Sequence, residues 1–141
     1  MFNKILVAID SSNMSKKALQ TALLLANNQQ SKVTLMHVGR EFILPQGVVV
    51  TDIATVKQEM RQIGIDILND AKKELAKQGL DVETHYTEGS APRLIVAYAT
   101  KEQFDLIVIG SRGLGNIKEM MLGSVSHKVS KLSTCPVLIV K

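Results

Sequence analysis

The chain holds one cysteine, Cys135, in 141 residues, which excludes an intrachain disulfide and a cysteine-based metal cluster. That usage suits a reducing compartment, and a cytoplasmic location is expected. Cys135 precedes Pro136 at the start of an apolar run, where a buried, inert thiol is expected. Aromatic residues make up only 4%, too few for the stacking platforms on which single-strand nucleic-acid binders depend. The net charge of +4 invites such a partner, but the lysines are scattered and no basic run exceeds Lys-Lys. Nucleic acid is therefore not an expected partner. Nothing approaches the roughly 20 apolar residues of a membrane span. The opening MFNKILVAID has a short apolar run and no small-residue cleavage site, so neither a membrane segment nor a signal peptide is expected. His37, His85 and His127 have no cysteine or carboxylate at ligand spacing, which argues against a histidine metal site.

Two common nucleotide signatures are missing as well. No glycine precedes Lys-Ser or Lys-Thr, so the phosphate loop G-x-x-x-x-G-K-[ST] is absent. Gly113-x-Gly115 is followed by Lys118 where G-x-G-x-x-G requires a third glycine. What is present is an ordinary globular composition, 45% hydrophobic and 21% charged, at a length that fits one domain over residues 1–141.

The most informative stretch runs from Leu106 to Ser130. Leu106–Ile109 is a buried-strand pattern that ends at Gly110; Gly113 and Gly115 follow, and Gly123-Ser124 opens a segment with Val125, Val129 and Leu132 at helical spacing. A strand end, a glycine-rich loop and Gly-Ser at a helix start bring free N–H groups to an anion. Glycines that only make turns are the plainer alternative.

Elsewhere Lys4–Ile9 and Lys32–Val38 read as strands. Ser and Asn after Asp10 cap a first helix with Ala18, Ala22, Leu25 and Ala26 on one face. Gly39–Val50 is irregular. Thr51 or Asp52 starts a long helix with Met60, Ile63, Ile67, Ala71 and Leu75 at helical spacing, stopped by Gly79. Asp81–Thr87 alternates and suits a strand near the sheet edge. Ser90 and Pro92 open a third helix carrying Leu94, Ile95, Tyr98 and Ala99. Asp105–Ile109, Ser124–Ser133 and Pro136–Val140 complete the order strand-helix to a fifth strand.

This alternation predicts an α/β fold, a Rossmann-like open five-stranded parallel sheet with helices on both faces. In strand order 3-2-1-4-5 the reversal lies between strands one and four, where such sheets take ligands. Asp10 and Gly110 would then meet across a crevice.

The spacing Gly110-x2-Gly113-x9-Gly123-Ser124 resembles the G-2x-G-9x-G-(S/T) signature of the ATP-binding universal stress proteins. The likeness extends through KILVAIDSSNMSKKAL, VTLMHV, EGSAPRLIVAYA and the whole of FDLIVIGSRGLGNIKEMMLGSVSHKVSKLSTCPVLIV. The chain is identified as a member of that family, of the ATP-binding type. The resemblance implies that Asp10 meets a ribose hydroxyl or a metal ion, with Ala8 and Ile9 lining the same wall. Val38 would hold adenine through its main chain, and Ile109 would pack near sugar or base. Gly110 and Gly113 would pass close to the phosphates. Gly123, Ser124, Val125 and Ser126 would present N–H groups and hydroxyls to them, and Arg112 and Lys118 would neutralise charge. For Asp10 the plainer role is a helix cap; for Arg112 and Lys118 it is a solvated surface charge. Met120, Met121 and Leu122 would cover the nucleotide or simply pack.

The implied ligand is ATP, and a triphosphate usually brings a divalent ion, Mg²⁺ or Mn²⁺. Asp10 is the one obvious carboxylate of the crevice, so slow hydrolysis at most is expected. A nucleotide-free dimer acting as an interaction module is a second reading. An enzyme like the adenine-nucleotide α-hydrolases is a third, opposed by the lack of glycine in Asp10–Asn13. The apolar last strand, 136–140, predicts a homodimer by edge pairing, as the resemblance also implies. Gly39–Val50 would be a lid or part of an interface.

Overall fold

Strand β1 (Lys4–Ala8) runs between two parallel neighbours drawn from distant parts of the chain. In the computed structural model, which describes residues 2–49, 52–112 and 123–141, it is followed by α1 (Asn13–Gln29), β2 (Lys32–Gly39), α2 (Ile53–Lys77), β3 (Val82–Glu88), α3 (Ala91–Lys101), β4 (Leu106–Gly110), α4 (Ser124–Leu132) and β5 (Val137–Val140). All pairings are parallel and the order is β3-β2-β1-β4-β5, as expected. Ile5 stands opposite Val33 on one side and Leu106 on the other, and Ala8 opposite Met36 and Ile109. The two faces of β1 feed two cores. Ile5, Val7 and Ile9 pack with Ala18, Ala22 and Ala26 of α1 and Leu68, Ala71 and Leu75 of α2. Leu6 and Ala8 pack with Ile95 and Ala99 of α3, Phe104, and Val129 of α4. Ile5, Leu6, Val7, Ile107 and Val108 are fully buried, each contributing about 1.5–3 kcal/mol of transfer free energy.

Local chemistry sets the element ends. Ser12 caps α1 by accepting from the Ser15 N–H at 3.2 Å. Asp52 caps α2, accepting from the Thr55 N–H at 3.1 Å and the Thr55 hydroxyl at 2.7 Å. These bonds hold its carboxyl below the usual range. Thr51, the alternative start, lies outside the described residues. Beyond α2, Gly79 takes φ +82°, a left-handed conformation that glycine adopts without strain. At the other end of the sheet, the Asp105 carboxylate accepts from the Asn3 N–H at 2.8 Å and the Lys4 N–H at 3.2 Å, joining β1 to the start of β4.

Three apolar readings are corrected. Met60 and Ile63 are 38% and 62% exposed, and the buried line of α2 is Gly64, Leu68, Ala71 and Leu75. The stripe turns because Gly64, having no side chain, admits Tyr86: a Cβ there would lie 2.4 Å from Tyr86 Cε2. Leu132 is 54% exposed at the end of α4, whose buried residues are Ser126 and Val129. Cys135 is half-buried rather than sealed, with the Ser133 hydroxyl 3.4 Å from its sulfur.

The chain has two tyrosines, Tyr86 and Tyr98. Burial pushes both phenols up, assisted by Glu88 beside Tyr86 and by Glu102 and Glu83 beside Tyr98; Arg61 opposes this at Tyr86. The folded state therefore binds the phenolic protons more tightly than the unfolded state. Stability from this source is complete below the ordinary phenol range and falls as pH rises through it. Absorbance titration near 295 nm should show phenolate forming at higher pH in folded protein than in urea; coincident curves would refute this account of the two rings.

Candidate functional site

The strand order reverses between β1 and β4, and beyond their carboxyl ends lies a cavity of about 610 Å³, within the usual range for small-molecule sites. Its floor is the end of β1 (Ala8, Ile9, Asp10) beside the end of β4 (Ile109, Gly110) and Arg112. Val38, Gly39 and Arg40 close it from β2, Gly123 to Ser126 from the start of α4, and Ile63 and Ile67 from α2. Gly89, Ala91, Pro92 and Ile95 bring in the start of α3. Eleven of the residues singled out from the sequence meet here: Ala8, Ile9, Asp10, Val38, Ile109, Gly110, Arg112, Gly123, Ser124, Val125 and Ser126. Gly113, Gly115, Lys118, Met120, Met121 and Leu122 lie outside the described residues.

Asp10 is half-buried, two residues past the end of β1. Its Oδ1 accepts from the Ser12 N–H at 2.7 Å and the Ser15 hydroxyl at 2.8 Å, and its own N–H donates to Ser15 Oγ at 2.8 Å. The carboxylate thus braces the first turn of α1. Its second oxygen has no hydrogen-bond partner among the described residues, and it is the only acidic side chain lining the cleft among them. Ser12, not Asp10, is the cap of α1, and the bracing role of Asp10 leaves its second oxygen for a ligand.

The start of α4 is tied to the end of β4 through Ser111. Its carbonyl accepts from the Gly123 N–H at 2.7 Å and the Ser126 hydroxyl at 3.0 Å, while its N–H donates to Val140 of β5 at 2.8 Å. Ser126 is 2% exposed, and its hydroxyl engages the carbonyls of Ser111 and Gly123, which braces the turn. The N–H groups of the first turn, at Ser124, Val125 and Ser126, have no acceptor within the helix, as at any helix start. Their partial positive charge faces the same cavity as Arg112.

Gly110, besides lining the cleft, has a packing role. A Cβ there would lie 2.6 Å from Met14 Cβ and 3.0 Å from the Met14 carbonyl carbon. The close neighbour is α1, so the glycine is required for helix packing whether or not a phosphate passes nearby.

Sequence reasoning missed several wall residues. His37 reads as an ordinary strand residue, yet it lines the cavity, and its Nδ1 lies 2.8 Å from the Ile9 carbonyl oxygen. Ile63 read as part of a packing stripe and instead faces the cleft. The signal available was position: His37 lies one residue before Val38 at the end of a strand next to the reversal point. Among the described residues no three His, Cys, Asp or Glu side chains come together to hold a metal ion.

A second cavity, of about 510 Å³, lies between α1 and α2 and shares Ile9, Asp10, Ser11, Ser15 and Ile67 with the first. Asp70 and Glu74 on its rim would repel a phosphate, and no helix start other than that of α1 borders it.

An open parallel α/β sheet with a cleft at its reversal point, walled by a helix N-terminus and a strand-end carboxylate, defines the class. The model of the universal stress protein family matches residues 1–141, and the chain belongs to that family. It is 48% identical over 148 residues to the universal stress protein YxiE of Bacillus subtilis, each chain covered in full. It is 32% identical to the universal stress protein MJ0577 of Methanocaldococcus jannaschii, whose structure superimposes with a TM-score of 0.86 over 100% of this chain and 96% of that one. A universal stress protein solved in complex with cAMP is 26% identical, with a TM-score of 0.75 over 99% of this chain and 97% of its own. No helix among the described residues is long and apolar enough to cross a membrane.

Proposed function

We propose that this protein binds ATP, or a closely related adenine nucleotide, in the cleft at the β1/β4 reversal and serves as a nucleotide-dependent stress-response module. The observation that carries the reading is the convergence of Asp10, Val38, Gly110, Arg112 and Gly123–Ser126 on one cavity from three separate parts of the chain. The cAMP complex of a related protein supports the ligand class. The α4 N–H groups and Arg112 would take the phosphates, the free oxygen of Asp10 a ribose hydroxyl or a metal ion, and the Val38 main chain the base. A single carboxylate beside a phosphate tail fits Mg²⁺ or Mn²⁺ bound mainly through phosphate oxygens and water. Asp10 is the one carboxylate of the described lining, and half of it already braces α1. The proposal therefore includes slow hydrolysis at most.

Calorimetric titration with ATP, ADP, AMP and cAMP, with and without Mg²⁺ or Mn²⁺, tests this. Saturable one-to-one binding of at least one nucleotide is expected. Absence of heat, together with unmoved amide resonances at Asp10, Val38 and Ser124 in millimolar nucleotide, would refute it.

The proposal extends to a cytoplasmic homodimer joined along β5. That strand pairs only with β4 among the described residues, and Leu138 on it is 37% exposed. Sedimentation equilibrium at micromolar concentration should give twice the chain mass of 15.4 kDa. A monomer throughout that range would count against the pairing, without touching the nucleotide reading.

A further inference from the structure

Of the three histidines, His37 alone lines the cleft. Its ring is held on two sides: Tyr86 of β3 stacks at 6.2 Å, and α2 passes so close at Gly64 that a Cβ there would lie 3.0 Å from His37 Cδ2. Nδ1 lies 2.8 Å from the Ile9 carbonyl oxygen. A carbonyl oxygen only accepts, so Nδ1 carries a proton, and in the neutral ring Nε2 is left as an acceptor. Nε2 has no partner among the described residues. No buried side-chain nitrogen or oxygen there lacks one, so Nε2 is open to solvent.

We propose that His37 is a specificity-determining residue of this cleft, its neutral Nε2 accepting a hydrogen bond from a donor on the bound nucleoside. The inference rests on the nucleotide reading above. The donor is a ribose hydroxyl or the exocyclic amine of the base, both of which offer the same chemistry.

Two variants separate the ring's nitrogens. In His37→Asn the amide nitrogen reaches the place of Nδ1 and keeps the bond to Ile9, but nothing stands at Nε2. In His37→Gln the side-chain carbonyl oxygen reaches the place of Nε2. ATP is titrated into each protein at pH 8. His37→Asn should bind about tenfold more weakly than the natural protein, the worth of one hydrogen bond of about 1.4 kcal/mol, and His37→Gln should recover most of that affinity. Repeating the series with 2′-deoxy-ATP, 3′-deoxy-ATP and inosine triphosphate identifies the donor, because its removal abolishes the difference between the natural protein and His37→Asn. Equal affinity of the natural protein and His37→Asn for ATP would overturn the assignment while leaving nucleotide binding in place. Absence of ATP binding by the natural protein would overturn both.

Discussion

Replacing Gly110 by alanine should destabilise the protein by about 3 kcal/mol, at the upper end of the usual cost of overpacking. The added methyl would meet Met14 Cβ at 2.6 Å, the Met14 carbonyl carbon at 3.0 Å and its oxygen at 3.1 Å. None of the three atoms can swing aside, since two are backbone and the Cβ is fixed to it. They belong to the first turn of α1, fixed by Ser12 and Asp10 through Ser15. Relief therefore requires moving the whole helix start away from β4. Urea denaturation should show a lower midpoint with an unchanged slope. Met14→Ala in the same background should recover little of the loss, because Cβ and the carbonyl group both remain. An unchanged midpoint for Gly110→Ala would refute the packing account and leave a ligand as the reason for the glycine.

The second large effect separates the two oxygens of Asp10. Asp10→Asn keeps one carbonyl oxygen to accept from Ser12 and Ser15, so its stability should stay within about 0.5 kcal/mol of the natural protein. Asp10→Ala loses both bonds and should cost about 1–2 kcal/mol. Under the nucleotide reading both variants lose the free carboxylate oxygen, and ATP affinity should fall between tenfold and a hundredfold, as for a hydrogen bond to a charged group worth about 1.5–3 kcal/mol. Any enhancement by Mg²⁺ or Mn²⁺ should fall with it. Thermal unfolding and calorimetric titration of the same samples give both readouts. An Asp10→Asn protein that binds ATP with unaltered affinity and metal dependence would reduce this residue to a helix brace.

Much of the architecture was legible because parallel strands are buried on both faces. Residues such as Ile5, Leu6 and Val7 then form solid apolar runs whose ends are plain. The cleft was legible for a related reason. Once the strand order is known, the residue after β1 and the residue ending β4 must be neighbours, although Asp10 and Gly110 are far apart along the chain. Side-chain direction was harder. The hydroxyl of Ser126 looks ready for an anion in a Gly-Ser-Val-Ser run, and only the fold reveals that the Ser111 carbonyl lies beneath it. The face of α2 misled for the opposite reason. Met60 and Ile63 continue a good helical stripe, but Tyr86 from β3 occupies the space beside Gly64 and carries the packed line elsewhere. A contact between a glycine and an aromatic ring from another element leaves no periodic trace. His37 escaped notice because its importance depends on where the Ile9 carbonyl points.

The central placement of β1 has a consequence for how the molecule is made. On the ribosome β1 emerges before β2 and well before β4, so one of its flanks stays bare until β4 has been translated and has left the exit tunnel. During that interval a nascent three-stranded sheet exposes Ile5–Ala8 as a hydrophobic border, the kind of edge that recruits stray strands. Slowing translation between β3 and β4 should therefore increase chaperone dependence and aggregation, whereas an equal pause after β4 should do so much less.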